Sequence, residues 1–245
     1  MSESEHGFFD HMGFDPELMR RARAFYVPMF EGRERVLDVA CGRAEFLDVL
    51  GRGEGVDIEP EMVAAAKAAG HVVEQADAFE FLCRREEEYD GIFSAHFIEH
   101  LTSEKVIELV RLSFRVLRPN GVLVICTPNA ASLPTLQRQF WWDATHVRMY
   151  DVELLRYILV GAGFSDVIGG VNPENTPGCP FDLDVLRVPD IHGMELPRFQ
   201  RDAFGGLDQR TQLTHHSLKQ VADTLRGLLE LLYSPSEIFV RGVKP

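Results

Sequence analysis

The order of apolar and amphipathic segments between residues 35 and 128 limits the folds open to this chain. Short strand-like segments alternate there with segments of helical length. The predicted strands are residues 35–40, 53–59, 71–77, 90–96 and 121–128. Strands separated by helices of about 10–15 residues are typical of a parallel sheet with crossover helices. The alternation therefore predicts an α/β fold.

Further elements follow the alternating region. The segment 151–163 has helical spacing, and Asp151 precedes it as a plausible N-cap. Residues 164–171 and 237–243 are predicted strands. Within the alternating region, Pro60 suits the first turn of a helix and Gly70 suits the position after its last turn.

Composition excludes several classes of protein. A chain of 245 residues with 45% hydrophobic residues can bury one sizeable core. Its net charge of −13 opposes electrostatic binding to phosphate backbones, so no nucleic-acid partner is expected. No membrane-length apolar run and no signal-peptide pattern is visible, which predicts no membrane span and a cytoplasmic location. The four cysteines are widely spaced and lack the pattern of a disulfide framework.

The segment ACGRAEF after the first strand is a small-residue turn that leads into a helix. A phosphate-binding P-loop requires a lysine and a Ser or Thr after its last glycine, and this turn has neither. A dinucleotide fingerprint requires three glycines, where this chain has Ala40, Gly42 and Glu45. Because the carboxylate of Glu45 would repel a pyrophosphate, a nicotinamide oxidoreductase is disfavoured.

Acidic residues lie at or near the ends of three successive predicted strands. Asp38 precedes the turn, and a carboxylate there suits a ligand with a positive charge or amine donors, such as S-adenosylmethionine. The N–H groups of the turn can receive the carboxylate of that ligand. Asp57 can accept both ribose hydroxyls, and the neighbouring Ile58 can pack on the adenine. Asp77 can accept a hydrogen bond from the adenine amino group.

The segments VLDVACGRAEF, GVDIEP, ADAFEF, FSAHFIEHL and VLRPNGVLVICTPN resemble, in order and spacing, the motifs of class I S-adenosylmethionine-dependent methyltransferases. The resemblance covers residues 35 to about 170. It implies a Rossmann-like, mostly parallel seven-stranded sheet with helices on both faces and a reversed last strand. Ala44 replaces a glycine of the family pattern, and its methyl group is expected to narrow the pocket slightly without abolishing binding.

The same resemblance implies the residues that hold the cofactor. On the core they are Asp38, Ala40, Gly42, Arg43, Asp57, Ile58, Asp77, Ala78, Phe79, Ser94, Ala95 and His96. On the N-terminal segment, Arg21 and Tyr26 are expected to close over the cofactor carboxylate, since arginine can make a bidentate contact with it.

Four segments are expected along the chain. Residues 1–30 form an N-terminal helical segment that covers the cofactor site, loosely structured to residue 15 and then helical as far as Pro28. Residues 31–171 form the methyltransferase core, 172–236 a long insertion and 237–245 the last strand.

The insertion does not follow the alternation. Its second half is a predicted helix over residues 211–233, with Leu218, Val221, Leu225, Leu228 and Leu232 at helical spacing. The insertion is interpreted either as a decoration packed on the sheet or as a functional element. The functional interpretations are a lid, a wall of the acceptor pocket or the helix of a homodimer.

A second resemblance indicates which molecule accepts the methyl group. The stretch FWWDATHVRMYDVELLRYILVGAGF, the TPN segment and ELMRRARAFYVPMF look like bacterial polysaccharide-modifying methyltransferases, including O-antigen chain-terminating enzymes. The TPN and DATH segments are also similar to ubiquinone-pathway and small-RNA methyltransferases. These likenesses favour O-methylation, and the predicted acceptor is a sugar hydroxyl of a polysaccharide, nucleotide-sugar or glycosylated metabolite. Trp141 and Trp142 could stack on a sugar, or one of them could fill the core.

A neutral hydroxyl must lose its proton, either to a base or with the help of a metal. The candidates are Glu99 and His100 in HFIEHL and His146 in DATH. His146 is the preferred base, with Asp143 or Glu99 as its orienting partner. His96 is expected to contact the cofactor or the loop.

Two other roles remain open for these side chains. Metal-dependent relatives carry a Glu-x-x-Glu-His pattern and a later histidine, so Glu99, His100 and His146 could bind a divalent ion softer than Mg²⁺. The alternative is a structural hydrogen-bonded pair of histidines that links two loops. Rival functions are methylation of a phenolic or quinone-type small molecule and a non-catalytic cofactor-binding partner protein.

Overall fold

A seven-stranded sheet organises the computed structural model, which describes residues 16–188 and 198–245. Its strands are β1 Val36–Val39, β2 Glu54–Asp57, β3 Val73–Gln75, β4 Tyr89–Ala95, β5 Leu117–Pro128, β6 Ser165–Val171 and β7 Glu237–Val243. Their order is β3-β2-β1-β4-β5-β7-β6. All pairings are parallel except those of β7 with β5 and β6. The predicted fold, a mostly parallel sheet with a reversed last strand, is confirmed.

Helices connect the strands. They are α1 Pro16–Ala24, α2 Glu45–Leu50, α3 Pro60–Ala68, α4 Ala78–Cys83, α5 Ser103–Val116, α6 Leu133–Gln137, α7 Val152–Gly161 and α8 Arg198–Leu232. Short 3-10 turns cover Val27–Phe30, Ile98–His100, Gln139–Trp142, Pro173–Asn175 and Leu183–Leu186.

Local sequence signals define several helix ends. The carboxylate of Asp151 accepts a backbone N–H and begins α7, as predicted. Asp77 and Thr102 cap α4 and α5 in the same way. Pro60 lies in the first turn of α3, and Gly70 follows its last turn with φ +94°. The second of these positions suits glycine because it is left-handed.

Two predicted boundaries are wrong. The first helix ends at Ala24 rather than at Pro28. Phe25 still donates to the carbonyl of Arg21, but Tyr26 donates to Arg23 only three residues back, so the chain tightens into 3-10 turns before the proline. The strand predicted over residues 121–128 begins earlier, because β5 starts at Leu117. Asn120 adopts φ +65° within this strand, and the pairing with β4 shifts register there.

The core lies on both faces of the sheet. Along β1 and β4, neighbouring residues such as Val36 and Leu37, or Ile92 and Phe93, belong to different buried clusters. This alternation follows from the pleat of a strand. Helices α5 and α7 contribute to one cluster and α2 to the other. The sheet is therefore covered on both sides, as a mostly parallel sheet requires.

The chain divides into two compact units. The first unit runs to Thr176 and resumes at Pro235, and the second covers Pro177–Ser234. These bounds lie close to the insertion expected at 172–236. Its helix α8 is longer than predicted, since it begins at Arg198. The expectations for residues 1–15, and for 189–197 of the insertion, lie outside the described residues. No helix among the described residues is long and apolar enough to cross a membrane.

Gly55 of β2 tests the packing around the small-residue turn. A Cβ at this position would lie 2.6 Å from Sγ of Cys41, so Gly55→Ala is expected to lower the free energy of unfolding by about 1–3 kcal/mol through overpacking. Denaturant unfolding measures the change. Gly161→Ala is the control, because its Cβ would meet no atom within 4 Å. Equal stability of wild type and Gly55→Ala would contradict this packing.

Candidate functional site

The carboxyl ends of the parallel strands meet at one edge of the sheet. β1 lies between β2 and β4. From β1 the strands β2 and β3 are added on one side and β4 and β5 on the other, so the strand order reverses between β1 and β4. Ligands of open α/β sheets bind in the crevice outside such a switch point. The described residues that follow β1, β2, β3, β4 and β5 therefore define the candidate site.

The turn between β1 and α2 is held in a left-handed backbone conformation. Ala40, Gly42 and Ala44 have φ values of 56°, 54° and 68°. The N–H of Gly42 donates to Oδ2 of Asp57 at 2.8 Å, and the N–H of Glu59 donates to Oδ1 of the same carboxylate at 2.9 Å. One carboxylate thus ties the turn after β1 to the end of β2.

Ala44 does not narrow a pocket. Its side chain has no exposed surface and packs in the core cluster that contains Phe46 and Leu47. The expected narrowing is therefore wrong, since the methyl group lies in the protein interior. A non-glycine residue with positive φ costs about 1–2 kcal/mol, which the buried methyl group offsets in part.

Asp38 is a carboxyl group that the fold places away from water. It is 3% exposed, and this burial raises its pKa well above the usual value. The guanidinium of Arg23 lowers the pKa, whereas Glu45 and Asp57 raise it further. A buried carboxylate in such surroundings is stabilised by a cationic ligand.

Among the other expected cofactor residues, Asp77 and Ser94 already form hydrogen bonds within the protein, whereas Ile58 is exposed. Asp77 uses Oδ1 to accept the N–H groups of Phe79 and Glu80, in addition to any ligand role. Ser94 is buried and donates to the carbonyl of Val39, which ties β4 to β1. Ile58 is 59% exposed and can offer its side chain to a flat ligand.

The remaining expected cofactor residues differ in burial. Ala78 is buried, Phe79, Ala95 and Arg43 are half-buried, and Arg21 is exposed on α1. Tyr26 has no exposed surface and donates its hydroxyl to Oε1 of Glu237 at 2.6 Å. The hydroxyl of Tyr26 is thus used within the protein, and its contact with a cofactor stays a prediction.

Glu237 is the centre of a buried polar network that the sequence did not indicate. Its fully buried carboxylate accepts hydrogen bonds from Arg23 (3.2 Å), Tyr26 (2.6 Å), His96 Nε2 (2.5 Å) and Asn172 (2.9 Å). These donors come from α1, the turn after it, the end of β4 and the end of β6. The acid at the start of the apolar segment EIFVRGV was the one available signal.

His96 lies between two buried carboxylates. Its Nε2 faces Glu237, and its Nδ1 lies 3.1 Å from Oε1 of Glu99. Burial lowers the pKa of His96, but the hydrogen bonds to Glu237 and Glu99 outweigh it and raise the pKa to about 9. For the acid Glu99 the signs are reversed: burial raises its pKa, but the hydrogen bond with His96 outweighs burial and brings the pKa below the usual value. His96 is therefore an imidazolium whose two N–H groups are both in use.

His100 and His146 lie side by side, with ring centroids 4.7 Å apart. Nδ1 of His146 donates to the carbonyl of Phe140 at 2.6 Å, because a carbonyl can only accept. The hydroxyl of Thr145 donates to Asp143 at 2.6 Å and therefore accepts from Nδ1 of His100 at 2.7 Å. In each ring, Nδ1 is thus used as a donor, and Nε2 is the atom that can accept a proton.

Asp143 has a different partner from the expected one. It lies 4.0 Å from Nε2 of His146 but bonds directly to Thr145, so it orients His100 through that hydroxyl. Burial would raise the pKa of Asp143, but its two hydrogen bonds from Thr145 lower it. Burial lowers the pKa of His100, which keeps this ring neutral. The carbonyl of Phe140 orients His146.

Glu99, His100 and His146 form a possible metal-binding group. One ligand atom from each residue lies within 4.8 Å of the others. Two imidazole nitrogens and one carboxylate are donors that suit first-row transition metals better than Mg²⁺. Glu99 already uses both oxygens, since Thr127 donates to Oε2 at 3.0 Å and His96 bonds Oε1.

An exposed aromatic surface adjoins the histidines. Trp141 is 67% exposed, while its indole N–H donates to the carbonyl of Leu136 at 2.9 Å. Its ring packs edge-on against Phe140, whose ring stacks on His146. Trp142 is also exposed and lies beneath the guanidinium of Arg138. Neither tryptophan fills the core.

Comparisons with known proteins bear on this site. A family model described as a methyltransferase domain matches residues 10–167. The structure of an S-adenosylmethionine-dependent methyltransferase from Archaeoglobus fulgidus is similar, with 26% identity and a TM-score of 0.76. The match covers 99% of this chain and 100% of that one. No curated protein matches the sequence.

More distant structures share the fold. A possible histamine N-methyltransferase from Thermotoga maritima has 14% identity and a TM-score of 0.59, over 94% of this chain and 91% of that chain. A phosphoethanolamine N-methyltransferase of Haemonchus contortus, in complex with phosphomonomethylethanolamine and S-adenosylhomocysteine, has 16% identity and a TM-score of 0.53. That match covers 99% of this chain and 60% of the other.

The pKa of His96 predicts how stability depends on pH. Its folded-state value of about 9 exceeds the ordinary 6.5, so its contribution is complete below about pH 6.5 and is lost as the pH rises through about 9. His96→Gln is expected to flatten this fall in the free energy of unfolding, measured by denaturant titration across that range. His71→Gln is the control. An unchanged slope in His96→Gln would refute the assignment.

Proposed function

The chain belongs to the family of methyltransferase domains, and on this premise we propose that it is an S-adenosylmethionine-dependent O-methyltransferase that acts on a sugar hydroxyl. S-adenosylmethionine is the cofactor. The observation that supports O-methylation is the geometry of His100 and His146, whose Nδ1 atoms both donate to acceptors within the protein, which leaves Nε2 as the ring atom that can accept a proton.

The residues at the strand ends fit the cofactor. The buried carboxylate of Asp38 suits the ammonium group of the ligand, and the left-handed turn at Gly42 suits its carboxylate. Asp57 and Ile58 are the proposed contacts for the ribose and the adenine. When bound, S-adenosylmethionine supplies an electrophilic methyl group on a sulfonium.

The chain's own residues would supply the removal of the hydroxyl proton. Nε2 of His146 is the proposed base, and its bond from Nδ1 to Phe140 fixes the ring in the tautomer that can accept a proton. His100 provides a second imidazole, held by Thr145 and Asp143. Since methyl transfer needs an in-line approach, orientation of the hydroxyl supplies much of the rate.

The alternative role of the histidines is metal binding. Glu99, His100 and His146 would hold a divalent ion, which lowers the pKa of a bound hydroxyl. In that case His146 would use the same Nε2 as a ligand. The two roles therefore exclude each other and differ in their sensitivity to a chelator.

Trp141 supports a sugar acceptor. Its fixed indole N–H and exposed ring form a stacking surface connected to His146 through Phe140. Indole faces pack on flat apolar surfaces of ligands at low entropic cost. The same surface would accept a phenolic ring, so comparison of sugar and phenolic acceptors decides between the two substrate classes.

The second unit is part of the proposal. Apolar side chains along α8, among them Leu218, Val221, Leu225 and Leu228, are exposed at helical spacing. We keep for this unit the role of acceptor lid or homodimer helix. The cytoplasm remains the proposed place of action, in keeping with the free cysteines of the described chain.

Substitution of Asp38 tests the cofactor site. Asp38→Asn keeps the shape of the side chain but removes the charge that faces the ammonium group. The affinity for S-adenosylhomocysteine, measured by calorimetry, is expected to fall by about 1.5–3 kcal/mol. Asp90→Asn is the control, since Asp90 bonds the backbone of Glu34 and Arg35 at the opposite edge of the sheet. Unchanged affinity in Asp38→Asn would remove Asp38 from the site.

Substitution of His146 tests the base. His146→Gln is expected to lower kcat by about 10²–10⁴-fold, the range of general base catalysis, with nearly unchanged affinity for S-adenosylhomocysteine. His71→Gln serves as the control. Wild-type turnover in His146→Gln would sink the assignment.

A chelator separates the two roles of the histidines. If His146 is the base, turnover is expected to survive exhaustive treatment with a chelator. If the site binds a metal, turnover falls and returns when a first-row divalent metal is added back. The second result would replace the base mechanism with the metal one.

A further inference from the structure

We propose that Glu237 is a positioning residue for the reaction: through His96 it holds the carboxylate of Glu99 beside the imidazoles of His100 and His146. The inference rests on the proposed function, because it assigns Glu237 to the group of residues that would deprotonate the acceptor. Glu237 itself touches neither ring of the pair.

The reversal of β7 explains why this residue reaches the site. Parallel strands bring their last residues to the carboxyl edge, whereas an antiparallel strand brings its first. Glu237 is the first residue of β7 and pairs with Pro128, the last residue of β5. The last strand thus contributes a side chain to the edge where β1 and β4 end.

The carboxylate of Glu237 is fixed from several directions. It is fully buried and accepts hydrogen bonds from Arg23, Tyr26, His96 and Asn172. A buried charge is costly unless it is paired and hydrogen-bonded, and here two of the donors are cationic. Each oxygen is therefore held in one place, and so is the imidazolium of His96 that bonds to it.

From His96 the network continues to Glu99. Nδ1 of His96 bonds Oε1 of Glu99, and Thr127 donates to Oε2, so both oxygens of this buried side chain are fixed. The backbone carbonyl of Glu99 accepts the N–H of Val147 at 2.7 Å, which holds the loop that carries His146. The carboxylate of Glu99 is thereby held within 4.8 Å of a nitrogen of each histidine, and its backbone holds the loop that carries His146.

Loss of the charge on Glu237 should act at the histidine pair. In Glu237→Gln the residue keeps its size, but His96 loses one of its two anionic partners. His96 can then leave Oε1 of Glu99, and the carboxylate of Glu99 is no longer fixed relative to the two rings. None of the hydrogen bonds of Glu237 described above involves Asp38 or Asp57, so cofactor binding should persist.

The first test is kinetic. Glu237→Gln is expected to lower kcat by roughly 10–100-fold, while KM for the acceptor and the affinity for S-adenosylhomocysteine change by less than about threefold. Glu99→Gln/Glu237→Gln should be no slower than Glu99→Gln alone, because Glu237 acts through Glu99. Additive losses in the double variant, or wild-type kcat in Glu237→Gln, would overturn the proposal.

Glu54→Gln is the matched control. Glu54 is also the first residue of a strand and accepts a tyrosine hydroxyl, that of Tyr89 at 2.5 Å, but it lies at the opposite edge of the sheet. Its kcat should equal that of the wild type. If Glu237→Gln does not fold, Tyr26→Phe can be used instead, since it removes one neutral donor to Glu237. This variant should lower kcat by a smaller factor. Combined with Glu99→Gln, it should again be no slower than Glu99→Gln alone.

A second readout needs no acceptor. Side-chain nitrogen NMR of the full chain reports the ring signals of His100 and His146, which should shift in Glu237→Gln but not in Glu54→Gln. Unchanged signals in Glu237→Gln would overturn the positioning role. A wild-type protein that transfers no methyl group to any acceptor would refute the proposed function instead, and the ring signals would still decide the role of Glu237.

Discussion

The antiparallel course of β7 between β5 and β6 determines which side chains meet at the functional edge. It places Glu237, a residue from the end of the chain, beside groups that follow parallel strands. Because this carboxylate is fully buried, donors must surround it, and they come from α1, β4 and β6. The position of one strand thus links the N-terminal helix to the loops that carry the histidines.

The proposed function assigns two tasks to the same edge. On the β1 and β2 side, Asp38 and Asp57 present carboxylates around a left-handed turn, which suits a cationic ligand without phosphate. On the β4 and β5 side, the histidines are oriented through their Nδ1 atoms by Phe140 and Thr145. One side suits the methyl donor and the other suits deprotonation of an acceptor.

Local signals in the sequence were sufficient to predict the presence of the seven strands and several helix ends. They also predicted that Asp38, Asp57 and Asp77 lie at or near the ends of successive strands. Asp151 and Pro60 act within their own helices, so their neighbours in sequence reveal their roles. The partners of His96 are not local, since Glu237 lies 141 residues away. The sequence does not show which strands pair, so it could not show that Glu237 lies beside His96. The acceptor of the Tyr26 hydroxyl could not be predicted for the same reason, because it also lies on β7.

The orientation of the histidines was predictable only in part. DATH and HFIEHL indicated that His100 and His146 would come together, and their rings are indeed adjacent. The orienting groups were assigned to side chains, but His146 is held by the backbone carbonyl of Phe140. A main-chain acceptor is present at every residue, and the sequence cannot single one out.

The most direct measurement is transfer of an isotopically labelled methyl group from S-adenosylmethionine to a panel of sugar and phenolic acceptors, followed by mass spectrometry. The account predicts a labelled O-methyl group on a sugar hydroxyl and formation of S-adenosylhomocysteine in equal amount. Label on a nitrogen or a phenol, or no transfer by a protein that binds S-adenosylhomocysteine, would contradict it.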